Sequence, residues 1–88
     1  MNIDQLKKEL SRNNINPQCF SIGMPWPVDG YCLDNNNGNW EVFYVERGEK
    51  HNVSQYNTES DACDKLLELL LEYPIFRLDY KPTYKKPL

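Results

Sequence analysis

Residues 40–46 read Trp-Glu-Val-Phe-Tyr-Val-Glu, and this stretch decides the fold. Successive side chains of a β-strand point to opposite faces of the sheet. Both faces of this strand carry mainly apolar or aromatic groups: Trp40, Val42 and Tyr44 on one, Glu41, Phe43 and Val45 on the other. A strand that is apolar on both faces is covered on both, so we expect a central strand here.

Turn sequences bound this strand on both sides. Residues 34–39 read Asp-Asn-Asn-Asn-Gly-Asn and residues 46–49 read Glu-Arg-Gly-Glu, and both stretches contain residues that tolerate positive φ. Residues 31–33 and the more polar residues 50–56 are the predicted neighbouring strands, and residues 19–22 form a further short strand. Strands joined by tight turns are antiparallel, so the predicted sheet is antiparallel.

A helix is predicted at each end of this sheet. Asn2 and Gln5 have the spacing of a capping box at the start of the first helix. Thr58 caps the second helix, with Asp61 positioned to bond back, and Pro74 ends it. The predicted buried face of the second helix consists of Ala62, Cys63, Leu66, Leu67, Leu69, Leu70 and Tyr73.

These elements make an α+β fold: an antiparallel sheet of three to five strands, with an N-terminal helix and a second helix packed against it. The alternation of Phe76, Leu78 and Tyr80 favours one further strand after the second helix. The 88 residues fit a single domain, 1–88, in which 81–88 are expected to be a flexible tail.

The charge distribution argues against nucleic-acid and membrane binding. The net charge is −3, whereas both of those partners need a basic surface. The charge is also uneven, since residues 29–72 carry ten acidic against three basic residues, a net of −7. This acidic segment is either a solvated surface or a binding surface for a basic protein. The N-terminal residues lack an apolar stretch of signal-peptide length, so we expect a cytoplasmic protein.

The sequence indicates no catalytic, metal-binding or cofactor-binding site. His51 is the only histidine, and every serine or cysteine nucleophile would need it as a base. Cys19, Cys32 and Cys63 are an odd number of widely spaced cysteines, which favours three reduced thiols over one disulfide and a free thiol. We therefore predict no enzymatic activity, no metal and no cofactor. Trp26 lies between two prolines, and it is either a lid over the sheet end or an exposed binding anchor.

Two sequence motifs resemble a known family. Residues 40–48 form an aromatic strand ending in Glu-Arg-Gly, and residues 58–63 read Thr-Glu-Ser-Asp-Ala-Cys at a helix start. This pair, with residues 20–23 and 31–33 upstream, resembles the small immunity proteins of bacterial polymorphic-toxin and contact-dependent growth inhibition systems. The resemblance covers roughly residues 18–72, and the Pro-Trp-Pro loop and the C-terminal tail depart from the pattern.

The resemblance implies a non-enzymatic cytoplasmic protein, monomeric when free, that binds and neutralises the C-terminal domain of a cognate toxin. Many such toxins are basic nucleases, so an acidic surface would speed association. Charge and loop placement, rather than the family pattern, suggest the toxin-binding residues Trp26, Asp29, Asp34, Glu41, Glu46 and Glu49. The alternatives are a small regulatory or adaptor domain and a small-ligand-binding accessory subunit.

Overall fold

The predicted central strand lies inside a four-stranded sheet in a computed structural model that describes residues 1–81. The strands β1 to β4 are adjacent in chain order, and the sheet carries two α-helices, α1 and α2, so the α+β class is confirmed. The elements are α1 Ile3–Arg12, β1 Phe20–Ile22, β2 Asp29–Asn36, β3 Asn39–Glu46, β4 Glu49–Tyr56 and α2 Glu59–Glu72, with short 3-10 helices at Pro17–Cys19 and Pro74–Phe76. Of the predicted tail 81–88, residues 82–88 lie outside the described residues.

Two-residue turns join the three long strands. Asn37 and Gly38 connect β2 to β3, Arg47 and Gly48 connect β3 to β4, and all four residues have positive φ. Positive φ at both central residues is the pattern of a type I′ turn, whose twist matches that of an antiparallel pair. The predicted antiparallel arrangement is therefore confirmed for these strands, and β3 is central, between β2 and β4.

The predicted orientation of the first strand was wrong. β1 runs parallel to β2, with Phe20 opposite Tyr31 and Ile22 opposite Leu33. The sheet is consequently mixed rather than purely antiparallel. The physical reason lies in residues 23–28, which do not form a hairpin turn. They run back past β1, so that β2 starts beside the beginning of β1 and runs in the same direction.

Gly30 is needed where β1 and β2 begin. A Cβ at this position would collide with the backbone carbonyl of Cys19, so only glycine allows the two segments to approach this closely. The buried position of Gly30 thus explains how a strand as short as β1 is held against β2.

The edge strand β4 contains an irregularity. Val42 pairs with Ser54 and Tyr44 pairs with His51, so two residues of β4 face Phe43. Asn52 lies within this bulge and has a φ of 54°. A β-bulge of this kind bends the strand and interrupts its row of backbone hydrogen-bonding groups.

Both predicted helix starts are confirmed. Asn2 Oδ1 accepts a bond from the Gln5 backbone N–H at 2.8 Å, and the Gln5 side chain accepts one from the Asn2 N–H at 2.9 Å. Thr58 Oγ1 accepts a bond from the Asp61 N–H at 3.1 Å. The expected return bond from the Asp61 side chain is absent within the described residues, and Glu59 instead accepts a bond from the Ile3 N–H at 2.8 Å, which joins the two helix starts.

The main core lies between the two helices and one face of the sheet, where the buried side chains are Leu6, Leu10, Ile15, Leu33, Val42, Ala62, Cys63, Leu66 and Leu70. Tyr73 was predicted to belong to this face but is 53% exposed. Its backbone is extended at φ −122° because the helix ends before Pro74, and its side chain leaves the helical register. A second small cluster, Cys32, Phe43 and Val45, lies on the opposite face of the sheet.

The predicted strand at residues 76–80 is replaced by irregular chain. Pro74–Phe76 form a 3-10 helix, and Arg77 makes only an isolated antiparallel bridge to Ile15. The alternation of apolar residues was misleading here, since Leu78 is 62% exposed.

Truncation of the α2 face tests the packing of this helix. Leu66 is fully buried, whereas Leu71 is 37% exposed on the same helix. We expect Leu66→Ala to lower the free energy of unfolding by about 2–5 kcal/mol, because a buried truncation leaves a cavity. Leu71→Ala is the matched control and is expected to cost under about 1 kcal/mol. Equal losses for both variants in urea denaturation would contradict the observed packing.

Candidate functional site

The return path of residues 23–28 places Trp26 on the sheet face opposite the helices. Trp26 is half-buried there and packs edge-on against Phe43, with ring centroids 5.3 Å apart and an interplanar angle of 71°. It covers the small cluster of Cys32, Phe43 and Val45. The indole Nε1 is buried and finds no hydrogen-bond partner in residues 1–81. Of the two predicted roles for Trp26, this contact favours the lid.

Lys50 completes the cover over this face. Its Nζ lies 4.5 Å from the Phe43 ring centroid, 5.4 Å from that of Trp26 and 3.4 Å from Glu41 Oε1. A cation over aromatic rings is attracted by their negative faces. Glu41 therefore has a partner within the fold, and its side chain is only 12% exposed. It is poorly placed for contact with another protein.

Three of the predicted carboxylates form a row at one end of the sheet. Asp29 pairs with Glu46 across β2 and β3, and Glu46 pairs with Glu49 across β3 and β4. Directly paired side chains share a face and lie about 5 Å apart. All three residues are exposed. His51 Nε2 lies 4.0 Å from Glu46 Oε2.

The carboxylate row affects a tyrosine one step further into the sheet. The pKa of Tyr44 is raised, first by burial and then by the negative charges of Asp29 and Glu46. Burial also raises the pKa of Tyr31, whose ring lies 5.0 Å from that of Tyr44. The negative charges of the carboxylate row therefore act on a partly buried tyrosine as well as at the surface.

An open groove of about 590 Å³ lies beside the carboxylate row. Its walls include Phe20, Pro25, Trp26, Pro27, Val28 and Asp29. Val28 is 77% exposed. The Arg47 N–H donates to the Val28 carbonyl at 3.2 Å, which ties the groove to the β3–β4 turn. We call Val28, Asp29, Glu46, Arg47 and Glu49 the hairpin-end surface.

The six predicted toxin-binding residues are therefore not one surface. Asp29, Glu46 and Glu49 belong to the hairpin-end surface, and Trp26 lines the adjoining groove. Asp34 pairs with Glu41 on the helix-free face, about 17 Å along β2 from Asp29.

Sequence reasoning missed Val28 and Lys50 in this region. It gave Arg47 a structural role, with its side chain paired to Glu46 or Glu49 across the turn, but neither ion pair is present within residues 1–81. A signal for Lys50 was present, because a two-residue turn at 47–48 puts residue 50 opposite residue 45 and hence on the Phe43 face. No comparable signal existed for Val28, whose exposure depends on the path of the loop.

The described residues contain no group of three or more histidine, cysteine or acidic side chains arranged to hold a metal ion. Cys19, Cys32 and Cys63 are unpaired thiols, and burial raises the pKa of each.

None of the helices within residues 1–81 is long and apolar enough to cross a membrane. No protein-family model, curated protein or solved structure matches this chain.

The acidic field around Tyr44 can be measured by titration. Because its pKa is raised in the folded state, folding favours neutral Tyr44; this stabilisation is present below about pH 10 and is lost as pH rises through the folded-state pKa. Asp29→Asn should lower the pKa of Tyr44, measured by NMR of isotope-labelled tyrosine rings. Asp34→Asn, on the opposite face, is the control and should leave it unchanged. Equal shifts would contradict the assigned row.

Proposed function

We propose that this protein is an immunity protein, a non-catalytic cytoplasmic binder that neutralises the C-terminal domain of a cognate bacterial toxin. The observation that carries the proposal is the hairpin-end surface, an exposed carboxylate row beside an exposed apolar side chain and an open groove. Its support from sequence is the resemblance of residues 40–48 and 58–63 to immunity proteins.

The electrostatics fit a basic partner. Asp29 and Glu49 have no cationic partner within ion-pair distance in the described residues, so their charges face solvent. Nuclease toxins hold a polyanion and carry a basic active-site surface, which an acidic row can approach and cover. Inhibition then follows from occlusion of the active site or of the substrate-binding surface.

Val28 supplies the apolar part of the contact. Exposed apolar side chains bordered by charged groups are typical of interfaces, in which the apolar centre sets the dissociation rate and the charged rim sets the association rate. Trp26 holds the loop in place from behind, through its packing on Phe43.

Charge reversal on the hairpin-end surface should slow toxin binding. The immunity hypothesis predicts that the gene immediately upstream encodes the toxin. The probe is the C-terminal domain encoded by that gene, mixed with this protein in a stopped-flow instrument. We expect Asp29→Lys and Glu49→Lys each to lower the association rate several-fold at about 0.05 M salt and much less at about 0.5 M, because salt screens exposed charges.

Glu68→Lys is the matched control, because it changes the net charge equally at an exposed position on α2. Its association rate should stay close to that of the wild type. An equal effect of all three reversals would contradict the assigned surface, and absence of any complex would contradict the immunity function and favour an adaptor or ligand-binding role.

Val28 can be tested separately by its effect on dissociation. Val28→Ser should raise the dissociation rate about tenfold, the loss expected for one well-placed interface side chain, and leave the association rate nearly unchanged. Val53→Ser, at a valine that is 44% exposed on β4, is the control. Unfolding measurements should show little change for Val28→Ser, since the side chain is already 77% exposed.

A further inference from the structure

Arg47 occupies a backbone conformation that does not suit arginine. Its φ is 52°, in the left-handed region, and Gly48 follows with a φ of 83°. A side chain with a Cβ is crowded by the neighbouring carbonyl in this region, so such positions favour glycine, asparagine and aspartate. An arginine at the tip of this turn therefore lowers the stability of the fold.

The other tight turn of the same sheet meets the same demand with a favoured residue. Asn37 has a φ of 53° and Gly38 a φ of 87°, nearly identical to the values at Arg47 and Gly48. Both turns are two-residue connections between antiparallel strands. The backbone requirement is therefore the same at both turns, and it does not account for arginine at position 47.

Contacts within the fold do not account for it either. The Arg47 residue is exposed, and no carboxylate in residues 1–81 lies within ion-pair distance of its guanidinium, although Glu46 and Glu49 are close in sequence. Only the backbone N–H is engaged, in the bond to Val28. The turn is thus fixed in position while its cationic side chain faces solvent.

We propose that Arg47 is a binding residue whose guanidinium binds a carboxylate of the toxin domain. This inference rests on the proposed function. A guanidinium presents paired N–H donors that match the two oxygens of a carboxylate. A cation beside the row of Asp29, Glu46 and Glu49 requires an acidic group at the corresponding point of an otherwise basic partner. A toxin domain with only cations at that point would be repelled by Arg47.

The variant Arg47→Asn separates this role from simple electrostatics. It relieves the backbone strain, so its melting temperature should rise by about 4 °C or more. It also makes the surface more acidic, so long-range attraction alone predicts tighter binding to a basic domain. Our inference predicts the opposite: Kd for the upstream-encoded toxin domain should rise at least tenfold, mainly through faster dissociation.

Two further variants complete the design. Arg47→Lys keeps both the strain and the charge but loses the paired donors; its melting temperature should stay at the wild-type value and its Kd should rise several-fold. Asn37→Arg is the matched control at the other turn. It should lower the melting temperature by about as much as Arg47→Asn raises it, and leave Kd within twofold of the wild type.

A more stable Arg47→Asn variant that binds at least tenfold more weakly supports the inference. Binding of Arg47→Asn within twofold of the wild type would overturn it and leave the immunity function intact. A melting temperature of Arg47→Asn at or below that of the wild type would also overturn it, because the arginine would then serve the fold. Failure of the wild type itself to bind the toxin domain would overturn both proposals.

Discussion

The burial of β3 on both faces is the constraint on which the rest of the structure depends. Val42 points into the core beneath the helices, whereas Phe43 and Val45 point to the other side. The two helices cover only one face, so the second apolar face needs another cover. The loop of residues 23–28 provides it by carrying Trp26 back across the sheet to Phe43. The parallel start of β1, the approach at Gly30 and the position of the groove all follow from that return path.

Much of the fold could be predicted because its signals are local. The Asn2 and Gln5 capping box and the Thr58 cap depend on residues three apart, and the two tight turns depend on the residues within them. The orientation of β1 could not be predicted in this way. Residues 23–28 could form a hairpin turn or run back along β1, and the observed path is the one that brings Trp26 against Phe43. These two residues are distant in sequence, so the alternation of apolar residues does not predict their contact. Tyr73 was wrongly assigned to the buried helix face and Leu78 to a strand. The spacing of apolar residues continues past Pro74, so it does not show that the helix ends there.

The candidate site was harder to predict than the fold. A charge count over residues 29–72 treats all acids alike, but strand alternation sends Asp29 and Glu46 to one face and Asp34 and Glu41 to the other. The register of β3 and β4 then decides which carboxylates have a partner within the fold. It places Lys50 close enough to pair with Glu41, whereas Glu49 remains exposed. The sequence therefore indicated the sign of the surface, and only the three-dimensional arrangement indicated its extent.

The bulge at Asn52 has a consequence for the protein in concentrated solution. An open sheet edge is a template on which further copies can stack their own strands and grow into fibrous aggregates. Here the edge is bent midway along β4, so an incoming strand that matches one half of it falls out of step with the other. The irregularity gives up some regular pairing with β3, and in return it makes edge-to-edge polymerisation of this chain unfavourable.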